Sequence, residues 1–179
     1  MSSPSPERPV LLIEALARVA REELLTEKWL LAPTHRVGHQ WVDVMTRGGQ
    51  PAINLRVKTL KNMALDLAGP EMVRQGLKLV SDQGATILVD GIWNRVKAAR
   101  EKQSSGYLAP LPVTEGFLAT LYGAIKAMRL AGLEPGQLQT GCFEVAEKGQ
   151  ELARVYAEYF QELRVAKLID YAEVLRLAG

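Results

Sequence analysis

Strand-like sequence is confined to the first third of this 179-residue chain, and that limits the fold more than any other feature. Trp29-Leu-Leu-Ala32 is a continuous apolar run stopped by Pro33 and reads as a short buried strand. Ile53 to Val57 alternates, with Ile53, Leu55 and Val57 on one side, the period of a half-exposed strand. After Thr59 the period becomes helical, and no convincing strand follows. Two or three strands do not make a self-sufficient open sheet, which usually holds about four to six. The expected architecture is therefore α-rich α/β, and the chain reads as a piece of something larger whose remaining strands lie after Gly179. At the other end, Val10 to Leu25 has helical spacing, but Val10-Leu-Leu-Ile13 also reads as a short strand feeding a helix from Glu14, and both readings stay open.

Each strand delivers a threonine into the loop beyond it. Thr34 follows Pro33 in an N-cap position ahead of a helix from Val37 to Met45, whose Trp41, Val44 and Met45 share a face. Thr59 follows Val57-Lys58, and Leu60, Met63, Ala64 and Leu67 form the next stripe. Carboxyl ends of strands are where α/β sheets bind ligands. The stretch around them carries Arg36, Arg47, Arg56, Lys58 and Lys61 against a single acid, Asp43. Local clustering of this kind suits phosphate better than the overall net charge of +2 suggests. The glycine-rich loop ending in Lys and Ser/Thr that would make such a surface part of a motor is nowhere in the chain.

The remainder reads as helices over Glu71–Leu79 (opened by Pro70), Ser81–Lys102, Thr114–Leu130, Gly149 to about Lys167, and Tyr171–Leu177, with Gln103 to Pro112 as the clearest linker. The implied organisation is a disordered lead-in over 1–9, an α/β region over 10–68, a helical subdomain over 69–167, and a return to the α/β core from 168 to 179. Apolar residues make up 47% and charged residues 23%, as in ordinary globular proteins. The single cysteine, Cys142, excludes an internal disulfide and any multi-cysteine metal site. No stretch approaches the roughly twenty apolar residues that cross a bilayer, and the start lacks the apolar run of a signal peptide. A cytoplasmic protein without membrane partners is expected.

The order of these pieces resembles the N-terminal part of a UvrD/Rep-type superfamily I helicase core, and more closely the inactivated helicase-like half of AddB/RexB-type helicase–nuclease subunits. Trp29-Leu-Leu-Ala-Pro-Thr-His-Arg36 is similar to the family's second strand and DNA-contacting loop. Leu55-Arg-Val-Lys-Thr-Leu-Lys-Asn-Met-Ala64 resembles its next strand, Thr and helix start. Phe117 to Gly132, with Ile125-Lys126 and Ala131-Gly132, resembles a stretch of the helical insertion. Ala153-Arg-Val-Tyr156-x-x-Tyr159 and Leu168-Ile-Asp170-Tyr-Ala-Glu-Val-Leu175 resemble the return toward the core. Two departures matter. Pro9 to Ala20, where active members carry the phosphate loop, has no glycine, and Lys28 is on the wrong side of the helix; the family's second acid after Asp170 is Glu173.

The resemblance implies a partial P-loop-NTPase-like core with an inserted helical subdomain that does not hydrolyse ATP and needs no cofactor. It further implies a non-catalytic DNA-binding module of a recombinational-repair helicase–nuclease, the nuclease part lying beyond this chain. Its partners would be DNA, as a single strand or duplex end, and an active helicase–nuclease subunit. The DNA-backbone candidates are Thr34, His35, Arg36, Thr59 and Lys61, with Arg56 and Lys58 either extending the patch or coating an outer face.

Plainer roles compete at each position. Both threonines could be N-caps only. His35, His39 and Asp43 stack at i, i+4 and i+8 as metal ligands might, but nothing nearby completes a site, so a surface or capping role or a DNA contact is expected. Trp29, Trp41, Trp93, Tyr107, Phe117, Tyr156 and Tyr159 read chiefly as core rather than as base-stacking partners. Glu22, Glu23 and Glu27 read as a solvated face, Asp170 first as an N-cap, and Cys142 as an inert thiol. Two other functions stay open: a helical protein–protein scaffold that never touches DNA, and an ATPase with an unorthodox nucleotide loop.

Overall fold

The computed structural model describes residues 7–101, 106–108, 110–139, 141 and 143–179. The chain divides into two compact units, Met1–Asp66 and Leu67–Gly179. Each holds several helices and one pair of short parallel strands, so the chain is α-rich α/β. The expectations for residues 1–6, for Cys142 and for most of Gln103–Ala109 lie outside the described residues.

The first unit contains α1 (Glu7–Glu22), β1 (Lys28–Leu31), α2 (His35–Arg47), β2 (Leu55–Lys58) and the opening of α3 (Leu60–Gln75). Of the two readings of Val10–Ile13, the helix holds. It starts inside the segment expected as a disordered lead-in, because Pro9 falls in the first turn, where its missing N–H has no intrahelical partner to lose. β1 and β2 pair in parallel with Lys28 opposite Leu55 and Leu31 opposite Lys58. Asn54 makes the turn into β2 at φ 54°, holding its bend by donating from its side-chain amide to the Leu25 carbonyl at 2.8 Å.

Alternation along the strands puts Lys28, Leu30, Leu55 and Val57 on one face and Trp29, Leu31, Arg56 and Lys58 on the other. The first face packs on helices: Leu30 and Leu55 lie against buried Leu16, Ala17, Ala20 and Met45. Gly38 lets α2 approach, since a Cβ there would overlap Val57 Cγ1 and stand 3.0 Å from Ala32 Cβ. On the other face Trp29 and Leu31 stay 41% and 48% exposed, which corrects the reading of Trp29–Ala32 as a fully buried strand. An apolar run reports that a strand is wanted in a core, not how many of its faces are covered. Val44 is likewise exposed rather than sharing the inward face of Met45.

The division between the units falls within α3, which runs unbroken to Gln75 with Pro70 inside it. This corrects the expectation of a new helix opened by Pro70. Proline there removes the hydrogen bond to the Asp66 carbonyl and crowds that carbonyl with its ring, yet the helix continues through it.

The second unit packs α4 (Asp82–Glu101), α5 (Glu115–Leu130) and α6 (Ala146–Val165) around Val89, Ile92, Trp93, Val96, Ile125, Val155, Tyr156 and Tyr159. Trp93 meets Phe117 with ring centroids 5.2 Å apart. Each large side chain fully buried here contributes about 1.5–3 kcal/mol. Ile87, expected on the apolar face of α4, is exposed.

Two strands that the periodicity did not show bracket these helices. β3 (Lys78–Leu79) pairs in parallel with β4 (Leu168–Ile169), and Lys78 N–H donates to the Lys167 carbonyl while Val80 N–H donates to that of Ile169, both at 2.9 Å. Two residues are too few to display alternation; the pairing exists because the chain comes back beside itself. α7 (Tyr171–Ala178) follows, with Asp170 as its N-cap, accepting from Glu173 N–H at 3.0 Å. Asp170 also holds the Arg129 guanidinium through two bonds, at 2.9 and 3.1 Å, with both side chains 8% exposed.

Candidate nucleic-acid interface

Because β1 and β2 are parallel neighbours in register, their carboxyl ends emerge side by side, and the Ala32 N–H still donates to the Lys58 carbonyl at 2.9 Å. Thr34 and Thr59 stand just past these ends and open α2 and α3. Thr34 adopts extended φ/ψ and its Oγ1 accepts from Val37 N–H at 3.2 Å. Thr59 Oγ1 accepts from Asn62 N–H at 3.3 Å. Both threonines are thus N-caps, each with its hydroxyl hydrogen left to donate. The first amides of α2 (His35, Arg36) and α3 (Leu60, Lys61) have no intrahelical acceptor, since a helix leaves its first N–H groups unmet. Two positive helix ends therefore open at one edge of the sheet.

A pairing absent from any local pattern ties the two starts together. His35 Nε2 lies 2.7 Å from Asn62 Nδ2. An amide nitrogen can only donate, so the Nε2 lone pair is the acceptor in this pairing. His35 and His39 rings stack with centroids 6.5 Å apart. Among the described residues no three His, Cys, Asp or Glu side chains are grouped to hold a metal ion.

The cations fall into two sets. Arg36 and Lys61 are exposed near the two helix starts, and among the described residues no ion pair involves either. Arg56 and Lys58 lie on the open sheet face and are already engaged: Arg56 Nε sits 3.1 Å from Glu27, and Lys58 pairs with Asp66 while its ammonium lies 5.2 Å from the centre of the Trp29 ring. Trp29 Nε1 donates to the same Glu27 at 2.8 Å. The fold thus gathers Thr34, His35, Arg36, Thr59 and Lys61 at one end. Arg56 and Lys58 belong to a neighbouring, internally neutralised face.

Sequence reasoning missed Asn62 and the exposure of Trp29. Asn62 occupies the third position of its helix, and only the pairing of the strands shows what it meets. Lys28 is also informative. It is 9% exposed and its ammonium donates to the carbonyls of Glu23 and Thr26, closing the turn between α1 and β1. Compared with known protein families and with curated proteins, the chain matches none. Among the described residues no helix is long and apolar enough to cross a membrane.

Proposed function

We propose that the first unit is a catalytically inert, helicase-like module that grips the phosphate backbone of DNA. The carrying observation is that Thr34 and Thr59 cap adjacent helices at the ends of paired parallel strands, with Arg36 and Lys61 beside them and outside the ion pairs of the described residues. Helix N-termini that present free amides, a hydroxyl and a cation suit phosphate oxygens. Binding through such groups is electrostatic and insensitive to base sequence.

The resemblance to superfamily I helicase cores gains support from the strand–helix–strand order of this unit. It gains more from the β3–β4 pair, which lets the three-helix body leave and rejoin the chain at one place, as an inserted subdomain does. Inertness rests on two positive observations: a continuous α1 occupies the stretch where a phosphate loop would stand, and the Lys28 ammonium is committed to two carbonyls. On this reading the module serves a DNA-repair helicase–nuclease and works beside an active helicase subunit.

The test is single-strand binding by Arg36→Glu combined with Lys61→Glu. Weakened binding with unchanged helical content supports the site. Unchanged binding removes it and leaves the protein–protein scaffold reading in its place.

A further inference from the structure

The second unit holds a cleft of about 410 Å³ formed by the end of α5, the Glu134 loop, α6, β4 and α7, and a smaller one of about 210 Å³ that shares Arg129, Glu134, Glu173 and Arg176 with it. Its floor is apolar, from Leu77, Phe160, Leu163 and Leu168. Over that floor the Arg129 guanidinium lies 5.1 Å from the Phe160 ring centre, held there by Asp170. Burial opposes the charge on Arg129, but the bonds from Asp170 and the proximity of Glu173 outweigh it and raise its pKa. Arg129 is thus a fixed part of the wall.

The remaining cations are different. Arg176 binds a single oxygen of Glu173, through Nε at 3.0 Å and Nη2, and Arg164 makes no ion pair among the described residues. The cleft therefore offers one free and one partly free guanidinium fork beside a pocket of aliphatic and aromatic carbon. Volumes of this size accept a few side chains or a small organic molecule.

We infer that this cleft docks a short peptide segment of a protein partner, placing one bulky apolar side chain on the Leu77–Phe160–Leu168 floor and a neighbouring carboxylate on Arg164 and Arg176. The charges on the walls select this occupant over a nucleic-acid strand. Glu134 and Glu173 sit on the same walls and would repel a run of phosphates, whereas one carboxylate can settle on the arginines and leave the glutamates to accept peptide N–H groups. Nothing in this docking depends on the strand-end surface of the first unit.

The experiment titrates the full chain with acetyl-Phe-Glu-amide and with acetyl-Phe-Gln-amide, following the Arg164 and Arg176 side-chain Hε signals and the Leu77 and Leu168 methyls by NMR. The acidic peptide is expected to give saturable shifts at all four, the neutral one to bind about tenfold more weakly, and Arg164→Gln to abolish that difference while the spectrum elsewhere stays unchanged. Equal binding of the two peptides, shifts confined to residues outside the cleft, or the same shifts produced by oligothymidylate would overturn the inference.

Discussion

His35 Nε2 and Asn62 Nδ2, 27 residues apart, lie 2.7 Å from each other and join the first turns of α2 and α3. That bond holds two capped helix starts at one edge of a two-stranded sheet. Its loss should loosen that edge without unfolding the unit. In Asn62→Leu, the amides of residues 60–63 should exchange with solvent faster while the circular dichroism spectrum is unchanged; unaltered exchange would show that the bond restrains nothing.

Thr34 serves as a cap, and the proposed phosphate contact would give it a second task. Thr34→Ala should cost about 1 kcal/mol in denaturant unfolding, as the removal of an N-cap does. Thr34→Gly should recover most of the stability, since glycine is tolerated as an N-cap, but it has no side chain to donate to the proposed phosphate, so DNA affinity should fall in both variants. Full recovery of binding in the glycine variant would assign Thr34 to capping alone.

Gly38 sits where α2 crosses β2, with Val57 Cγ1 in the space a Cβ would fill. Gly38→Ala should destabilise the chain by about 1–3 kcal/mol through overpacking, despite the better helix propensity of alanine. The additional variant Val57→Ala should recover part of the loss, measured by urea unfolding.

Arg129 and Asp170 form the buried ion pair of the second unit. Asp170→Asn keeps a good N-cap for α7 but leaves Arg129 short of charge, and it should cost about 3–5 kcal/mol in urea unfolding. Glu173 adds a pH dependence. Its bonds to Arg176, outweighing burial and reinforced by Arg129, hold its carboxyl below the ordinary range. A depressed carboxylate stabilises the fold fully above its unfolded pKa, about 4.3, and loses that contribution as pH falls through the lower folded value. Arg176→Gln should therefore make stability less steep in pH below about 4.3, as read from unfolding midpoints between acid and neutral pH; an identical slope would remove Glu173 as a source.

What the sequence discloses divides by range. Thr34 and Asp170 are legible as caps because capping is decided within four residues. Arg56 and Lys58 are placed opposite Leu55 and Val57 by strand alternation alone. Trp29 escapes such reading because its exposure depends on what covers the second face of the sheet. β3 and β4 are invisible because each is two residues long and exists through a partner about ninety positions away. Arg129 with Asp170, and His35 with Asn62, are long-range pairings that no local period encodes.

The edge carrying Thr34 and Thr59 is held to bind a polyanion through Arg36 and Lys61. The salt dependence of oligothymidylate affinity tests this most directly, by comparing the wild-type chain with the double variant Arg36→Gln, Lys61→Gln. Each single-strand phosphate that a cation neutralises adds about 0.7 to the steepness of log affinity against log salt, so the double variant should be shallower by about 1.4. Parallel plots for the two proteins would contradict this assignment.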